Sequence, residues 1–147
     1  NNNPIYFNTR NPLVLSKGLC CPFNSQNTYF NATAFPLLYL PSTVTFRYTD
    51  ILRGLIAQPV LWASDFLVGF GSSTVIQKRN FHDYLKDFES EIPCYLHPET
   101  VLQIALGSVS ESKSISDNLH AVYENLLEEK IVTHEELTRL DSWLSHF

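Results

Sequence analysis

Hydrophobic and polar positions change their rhythm near residue 50. Before it, apolar and aromatic residues fall in short runs broken by Asn and Pro, the pattern of strands and turns. Residues 19–30 predict one or two short strands, and residues 42–48 (STVTFRY) an extended segment rich in β-branched and aromatic side chains. Between them, residues 32–40 predict a short helix with Pro36 in its first turn, where a missing N–H costs little, and Pro41 closes it. After residue 50 the period lengthens. Ile51, Leu52, Leu55, Ile56 and Val60 recur at helical spacing, with Thr49 or Asp50 as the expected N-cap. Pro59 inside that pattern predicts a kink or an end to the first part of the helix. A turn at 69–73 (GFGSS) and a buried strand at 74–77 (TVIQ) should follow.

From residue 80 the chain reads as helical. Phe81, Tyr84, Leu85 and Phe88 share one face, with His82, Asp83, Lys86, Asp87 and Glu89 mostly on the other. A second helix is expected after Pro98 to about residue 106. Residues 107–114 (GSVSESKS) look like a flexible linker, and two further helices at 116–130 and 134–146 form a hairpin. Thr133 and Glu136 have the spacing of a capping box for the last helix. The pattern therefore predicts an α/β class, or an α+β fragment: extended segments first, helices second. Residues 1–106 form the main part, 107–114 the linker and 115–147 a helical hairpin packed on the same domain.

Composition narrows the function classes. The formal charge of −5 with no basic run argues against nucleic acid as a partner. No stretch reaches the roughly 18 apolar residues of a membrane span: the region 51–70 is interrupted by Arg53, Gln58, Pro59 and Asp65. The first residues have no signal-peptide pattern. The absence of methionine, even at position 1, is that of a piece of a longer protein. Cys20, Cys21 and Cys94 fit no zinc spacing, and the five histidines form no H-x-x-x-H or H-E-x-x-H pair, so no metal site is expected from this chain. Buried free thiols are one reading of the cysteines; a bridge from Cys94 to one of the pair is the other. Asn31-Ala32-Thr33 is a glycosylation sequon.

Two stretches carry candidate chemistry. In 22–28 (PFNSQNT), Asn24, Gln26 and Asn27 place three amides in four positions. Such amides serve neighbouring backbone in a loop, or meet sugar hydroxyls, which both donate and accept. Phe23, Tyr29 and Trp62 could pack on the apolar face of a sugar ring. In 47–54 (RYTDILRG), Asp50 opens a helix and Arg53 lies one turn on. Asp50 is either a helix-dipole partner, worth roughly 0.3–1 kcal/mol, or a general base for a substrate hydroxyl. Arg47 or Arg53 could hold a carboxylate or phosphate in a bidentate fork.

Together PFNSQNTYF, FRYTDILRG and TVIQKRN resemble the STELLO-type family of Golgi glycosyltransferases, known from plant cellulose synthesis. The family's Pro-polar-Asn-x-Gln-Asn-Thr pattern is matched by Pro22, Asn24, Gln26, Asn27 and Thr28. Its T-F-R-x-x-D-I-x-R-G block is matched by Thr45, Phe46, Arg47, Asp50, Ile51, Arg53 and Gly54. The likeness runs from about residue 18 to Trp143, and a looser one links the chain to the reversibly glycosylated polypeptides. The resemblance implies the acceptor-side, C-terminal half of a GT-A-like domain, using a nucleotide sugar and a glycan acceptor in the lumen of the Golgi membrane system. It implies Asp50 as the catalytic acidic residue, and an Asp-x-Asp site for Mn or Mg in an upstream half; this chain has no Asp-x-Asp. Where many GT-A enzymes place a metal-binding His, the chain reads Val75-Ile76-Gln77-Lys78, so Lys78 and Arg79 are expected on the leaving diphosphate. Alone, the 147 residues are expected to be inactive. The alternative is a non-catalytic scaffold that holds a membrane-embedded polysaccharide synthase.

Overall fold

Eleven consecutive residues, Leu52 to Trp62, are buried in helix α1 (Thr49–Ala63), so it is covered on every side, as a helix apolar all round must be. Around it pack a 3₁₀ helix (Ala32–Leu38), α3 (Pro98–Ser108) and α4 (Ile115–Glu128). Helix α5 (His134–Leu144) closes on α4, and α2 (Tyr84–Leu96) lies against α3. The computed structural model describes residues 12–76, 78 and 81–147. Among these the fold is mixed and mostly helical, with one two-stranded antiparallel sheet: β1 (Leu13–Val14) pairs with β2 (Gly69–Phe70), Leu13 opposite Phe70.

The helices follow the periodicity closely; the strands do not. Residues 19–30 form no strand, 42–48 are bends and turns, and 74–76 are exposed coil with Ile76 at 95 %. Gln77 of that expected strand lies outside the described residues. β-Branched and aromatic composition suits a pleated surface only where another strand is present to pair with, and among the described residues no partner strand pairs with these segments. Pro59 does not end α1, which continues to Ala63. Packing on all faces outweighs the lost hydrogen bond and ring clash, a penalty of about 3 kcal/mol. Helix α2 is also turned differently from expectation: none of its residues is buried, and its apolar face points outward.

The expected capping box at α5 does not form. Thr133 occupies the N-cap without a side-chain bond, and Glu136 is fully buried. Its carboxylate accepts the N–H of Ser42 at 2.9 Å, the N–H of Thr43 at 2.6 Å and the hydroxyl of Tyr39. Three donors compensate the burial of this charge, and they tie the turn after the 3₁₀ helix to the hairpin. Burial, with Glu136 beside it, holds the Tyr39 phenol well above its ordinary range. Nearby, Asn118 grips the 109–114 segment, accepting from the N–H of Ser110 at 2.8 Å and donating to its carbonyl at 2.9 Å. The thiols of Cys20, Cys21 and Cys94 are free and partly buried.

A polar latch holds α2. Arg47 Nη2 lies 2.5 Å from Asp87 Oδ1, His82 Nδ1 2.8 Å from Asp87 Oδ2, and Thr45 Oγ1 donates to the Ser90 carbonyl at 2.7 Å. The hydrogen bond from His82, and then Arg47, hold the Asp87 carboxyl below its ordinary value. A depressed folded-state pKa means the latch is fully present above the unfolded value, near 4, and is lost as pH falls through the lower folded one. In a carboxyl-carbon NMR titration, His82→Ala should return Asp87 toward the ordinary value more than Arg47→Ala does. For the buried carboxylate, Glu136→Ala should lower stability by about 3 kcal/mol or more, because three donors lose their acceptor. Glu136→Gln, which keeps one oxygen, should cost less; thermal unfolding of both variants measures the difference.

Candidate functional site

Helix α1 holds the backbone of residues 21–25 with one face. Positions 50, 53, 54 and 58 lie along that face at helical spacing. Gln58, fully buried, accepts the Cys21 N–H at 2.9 Å and donates to the Cys21 carbonyl at 2.9 Å, as a neighbouring strand would. Its amide also donates to the Gly54 carbonyl at 2.8 Å. Gly54 sits under Phe23: a Cβ there would stand 2.7 Å from the Phe23 oxygen and 2.9 Å from its nitrogen. Arg53 Nη2 donates to the Asn24 carbonyl at 3.3 Å, and Asp50 Oδ2 accepts the Ser25 N–H at 3.1 Å. The helix and the segment run antiparallel, 58 to 21 and 50 to 25.

Arg53 is 5 % exposed, its guanidinium 5.4 Å from the ring centres of both Phe23 and Phe30. Two cation–π contacts replace part of the lost hydration. Burial pulls its pKa down from the ordinary arginine value, and Asp50 opposes the shift. Asp50 is not the expected N-cap, a place taken by Tyr48, but lies in the first turn.

Beyond this anchor the three amides reach one groove of about 660 Å³, between residues 22–31 and 66–74. Asn24 Oδ1 accepts the Gln26 N–H at 3.0 Å and fixes the turn. Asn27 takes the left-handed conformation (φ 51°), which Asn tolerates better than most residues, and accepts from Thr74 Oγ1 at 2.9 Å. Tyr29, 84 % exposed, and Phe70 supply rings to the wall, with Ser72, Ser73 and Thr74 adding hydroxyls. Among the described residues, none of the lining side chains is an acid or a base of the Asp, Glu, Lys, Arg or His type. Asn31 stands at the rim and caps the 3₁₀ helix, its Oδ1 accepting the Thr33 N–H at 3.0 Å.

The structure thus brings Asn24, Gln26, Asn27, Asp50 and Arg53 together, with Asp50 and Arg53 on the α1 anchor that holds the turn and the amides on the groove. Arg47 faces α2 instead. Trp62 is 5 % exposed, buried with α1, and is not on the lining. Lys78 is in exposed coil, and Arg79 lies outside the described residues. Gln58 escaped the sequence reading as a binding element. Its signal was an amide inside an otherwise apolar helical run, eight residues after Asp50. No group of three His, Cys, Asp or Glu able to hold a metal ion exists among the described residues, so they offer no ligand set for Mn or Mg. None of their helices is long and apolar enough to cross a membrane.

Gly54→Ala should force the Phe23 backbone away and cost about 1–3 kcal/mol. Gln58→Leu, similar in size, should cost about 2 kcal/mol or more by stranding the Cys21 N–H and carbonyl. Both should speed proteolytic cleavage within residues 21–28, which peptide mapping would locate.

The fold and groove can be set beside known proteins. The family model described as STELLO glycosyltransferases matches residues 47–147. Two Arabidopsis thaliana proteins, named "Probable glycosyltransferase STELLO1" and "Probable glycosyltransferase STELLO2", are each 28 % identical, over 95 % and 90 % of this chain respectively. The matched region is 18 % of the first and 16 % of the second, so the chain spans under a fifth of either relative. No solved structure matches. With more than half its length matched by the family model, the chain belongs to the STELLO glycosyltransferase family.

Proposed function

We propose that this chain is the acceptor-side half of a GT-A-like glycosyltransferase domain and that its groove binds a glycan acceptor. The observation that carries the reading is the lining among the described residues: amides, hydroxyls, aromatic rings and aliphatic side chains, with no Asp, Glu, Lys, Arg or His. Neutral hydroxyls of a sugar match amides as both donors and acceptors, and rings such as Tyr29 suit the apolar face of a pyranose. A diphosphate would call for cations. The nucleotide-sugar donor therefore binds elsewhere in the complete protein, with Lys78 and Arg79 as the residues proposed for its diphosphate. The setting is the lumenal side of the Golgi membrane, where Asn31 would be open to glycosylation.

Asp50 is the proposed general base. One carboxylate oxygen is fixed by the Ser25 N–H, and the other has no hydrogen bond among the described residues. A carboxylate oriented in this way takes the proton of an acceptor hydroxyl as the new glycosidic bond forms, if the hydroxyl comes within about 3 Å. The chain taken alone is inactive in this reading, because it does not hold the donor.

A second reading is a non-catalytic domain that binds a glycan or a polysaccharide synthase. The same uncharged lining favours it, since among the described residues no acid or base stands on the groove wall itself.

In the full-length protein, Asp50→Asn keeps an oxygen for Ser25 but removes the base. Turnover should fall by about 10²–10⁴-fold with acceptor affinity little changed. Near-normal turnover in Asp50→Asn, with loss only in Asp50→Ala, would reduce Asp50 to an anchor of the turn. Acceptor oligosaccharide affinity should also change little between low and high salt, since among the described residues no charged side chain lines the groove and the acceptor itself is neutral. Absence of turnover with every nucleotide sugar, while oligosaccharide binding persists, would favour the second reading.

A further inference from the structure

Large exposed apolar side chains are distributed very unevenly. Among the described residues nine of twenty lie between 75 and 96, whereas the hairpin from residue 115 onward contributes only Phe147. Phe81, Tyr84, Leu85, Phe88, Tyr95 and Leu96 are all between 58 % and 100 % exposed. Intervals of three, four and seven residues put Tyr84, Leu85, Phe88, Tyr95 and Leu96 along one side of α2, with Phe81 just before it. The opposite side, with Asp87, Ser90 and Cys94, faces the protein through Thr45 and Arg47. An amphipathic helix anchored by its polar side, with its apolar side in water, is a surface built to be covered.

We infer that the apolar face of α2 is the seam on which a further part of the same polypeptide packs. This rests on the reading of the chain as one half of a longer domain. Two observations select this occupant. More than four-fifths of each Arabidopsis relative lies outside the matched region, which supplies ample chain. The chain also carries a formal charge of −5. A second copy would bring like charge against like, and an anionic lipid surface would be repelled, so both are disfavoured. Val75 and Ile76, which precede the helix in sequence, are also 60 % and 95 % exposed.

The test is thiol labelling of the native full-length protein carrying Phe88→Cys, located by peptide mass spectrometry, with Phe147→Cys as the exposed reference. If the seam is covered by the same polypeptide, position 88 labels at least about tenfold more slowly than position 147, because reaction waits on local opening. The slow rate should survive dilution and removal of membranes. Equal rates would overturn the proposal. Protection lost on dilution would assign the face to a second copy, and protection seen only with membranes would assign it to lipid; either result rejects the seam. Should Phe88→Cys fail to fold, hydroxyl-radical footprinting of Tyr84 and Tyr95 in the wild-type protein reads the same face: low modification supports the seam, and ready modification rejects it. Neither readout depends on transferase activity, so the seam and the glycosyltransferase reading fail separately.

Discussion

The anchoring of residues 21–25 to one face of α1 is the interaction on which the rest of the structure depends. A segment with strand-like composition but no neighbouring strand leaves its N–H and carbonyl groups to be satisfied by other means. Here a helix supplies those partners from its side chains: Gln58 for Cys21, Arg53 for the Asn24 carbonyl, Asp50 for the Ser25 N–H. Gly54 admits the backbone at a distance no side chain would allow. The amides of 24–27 can line the groove because the backbone beneath them is held by the helix. Packing and polar satisfaction act together, since the helix carrying these residues is also the centre of the apolar core.

Glu136 solves the same problem at the other end of the fold. The turn at 42–43 has two N–H groups that no strand receives, and a carboxylate from α5 takes both. In each case a buried polar side chain does for irregular backbone what a sheet does for regular backbone. Such residues contribute little if their partners are replaced along with them, and a great deal if one member alone is removed. They also specify geometry: an apolar contact tolerates sliding, whereas Gln58 accepts and donates to one residue only if the register is right.

How much of this was legible in the sequence differs by element. The four helices after residue 80 follow the apolar period, because local spacing alone decides a helix. The strands at 19–30, 42–48 and 74–77 were misread because strand formation needs a partner, which composition does not supply. Periodicity identified the apolar face of α2 but could not say which way it would turn. Asp50, Arg53 and the amides could be grouped from short motifs, and they do converge. Gln58 and Glu136 were missed as structural anchors, since a buried polar residue looks like a surface one until its backbone partners are known. Trp62 was misjudged for the converse reason: an aromatic residue suits a sugar platform and a core equally well.

The site separates charge from contact. Among the described residues the groove wall is neutral, while Asp50 and Arg53 hold the backbone of the turn that carries the amides, and Arg47, His82 and Asp87 form a separate latch. Charges that hold the backbone of a wall shape it, and their removal loosens the turn at Asn24 and Ser25. Loss of activity on replacing Asp50 or Arg53 would therefore carry two meanings, altered chemistry or altered shape. The same arrangement explains why a conservative exchange is informative here. An amide in place of a carboxylate keeps the hydrogen bond that shapes the wall and removes only the charge, so it isolates chemistry from geometry at the one position where both meet.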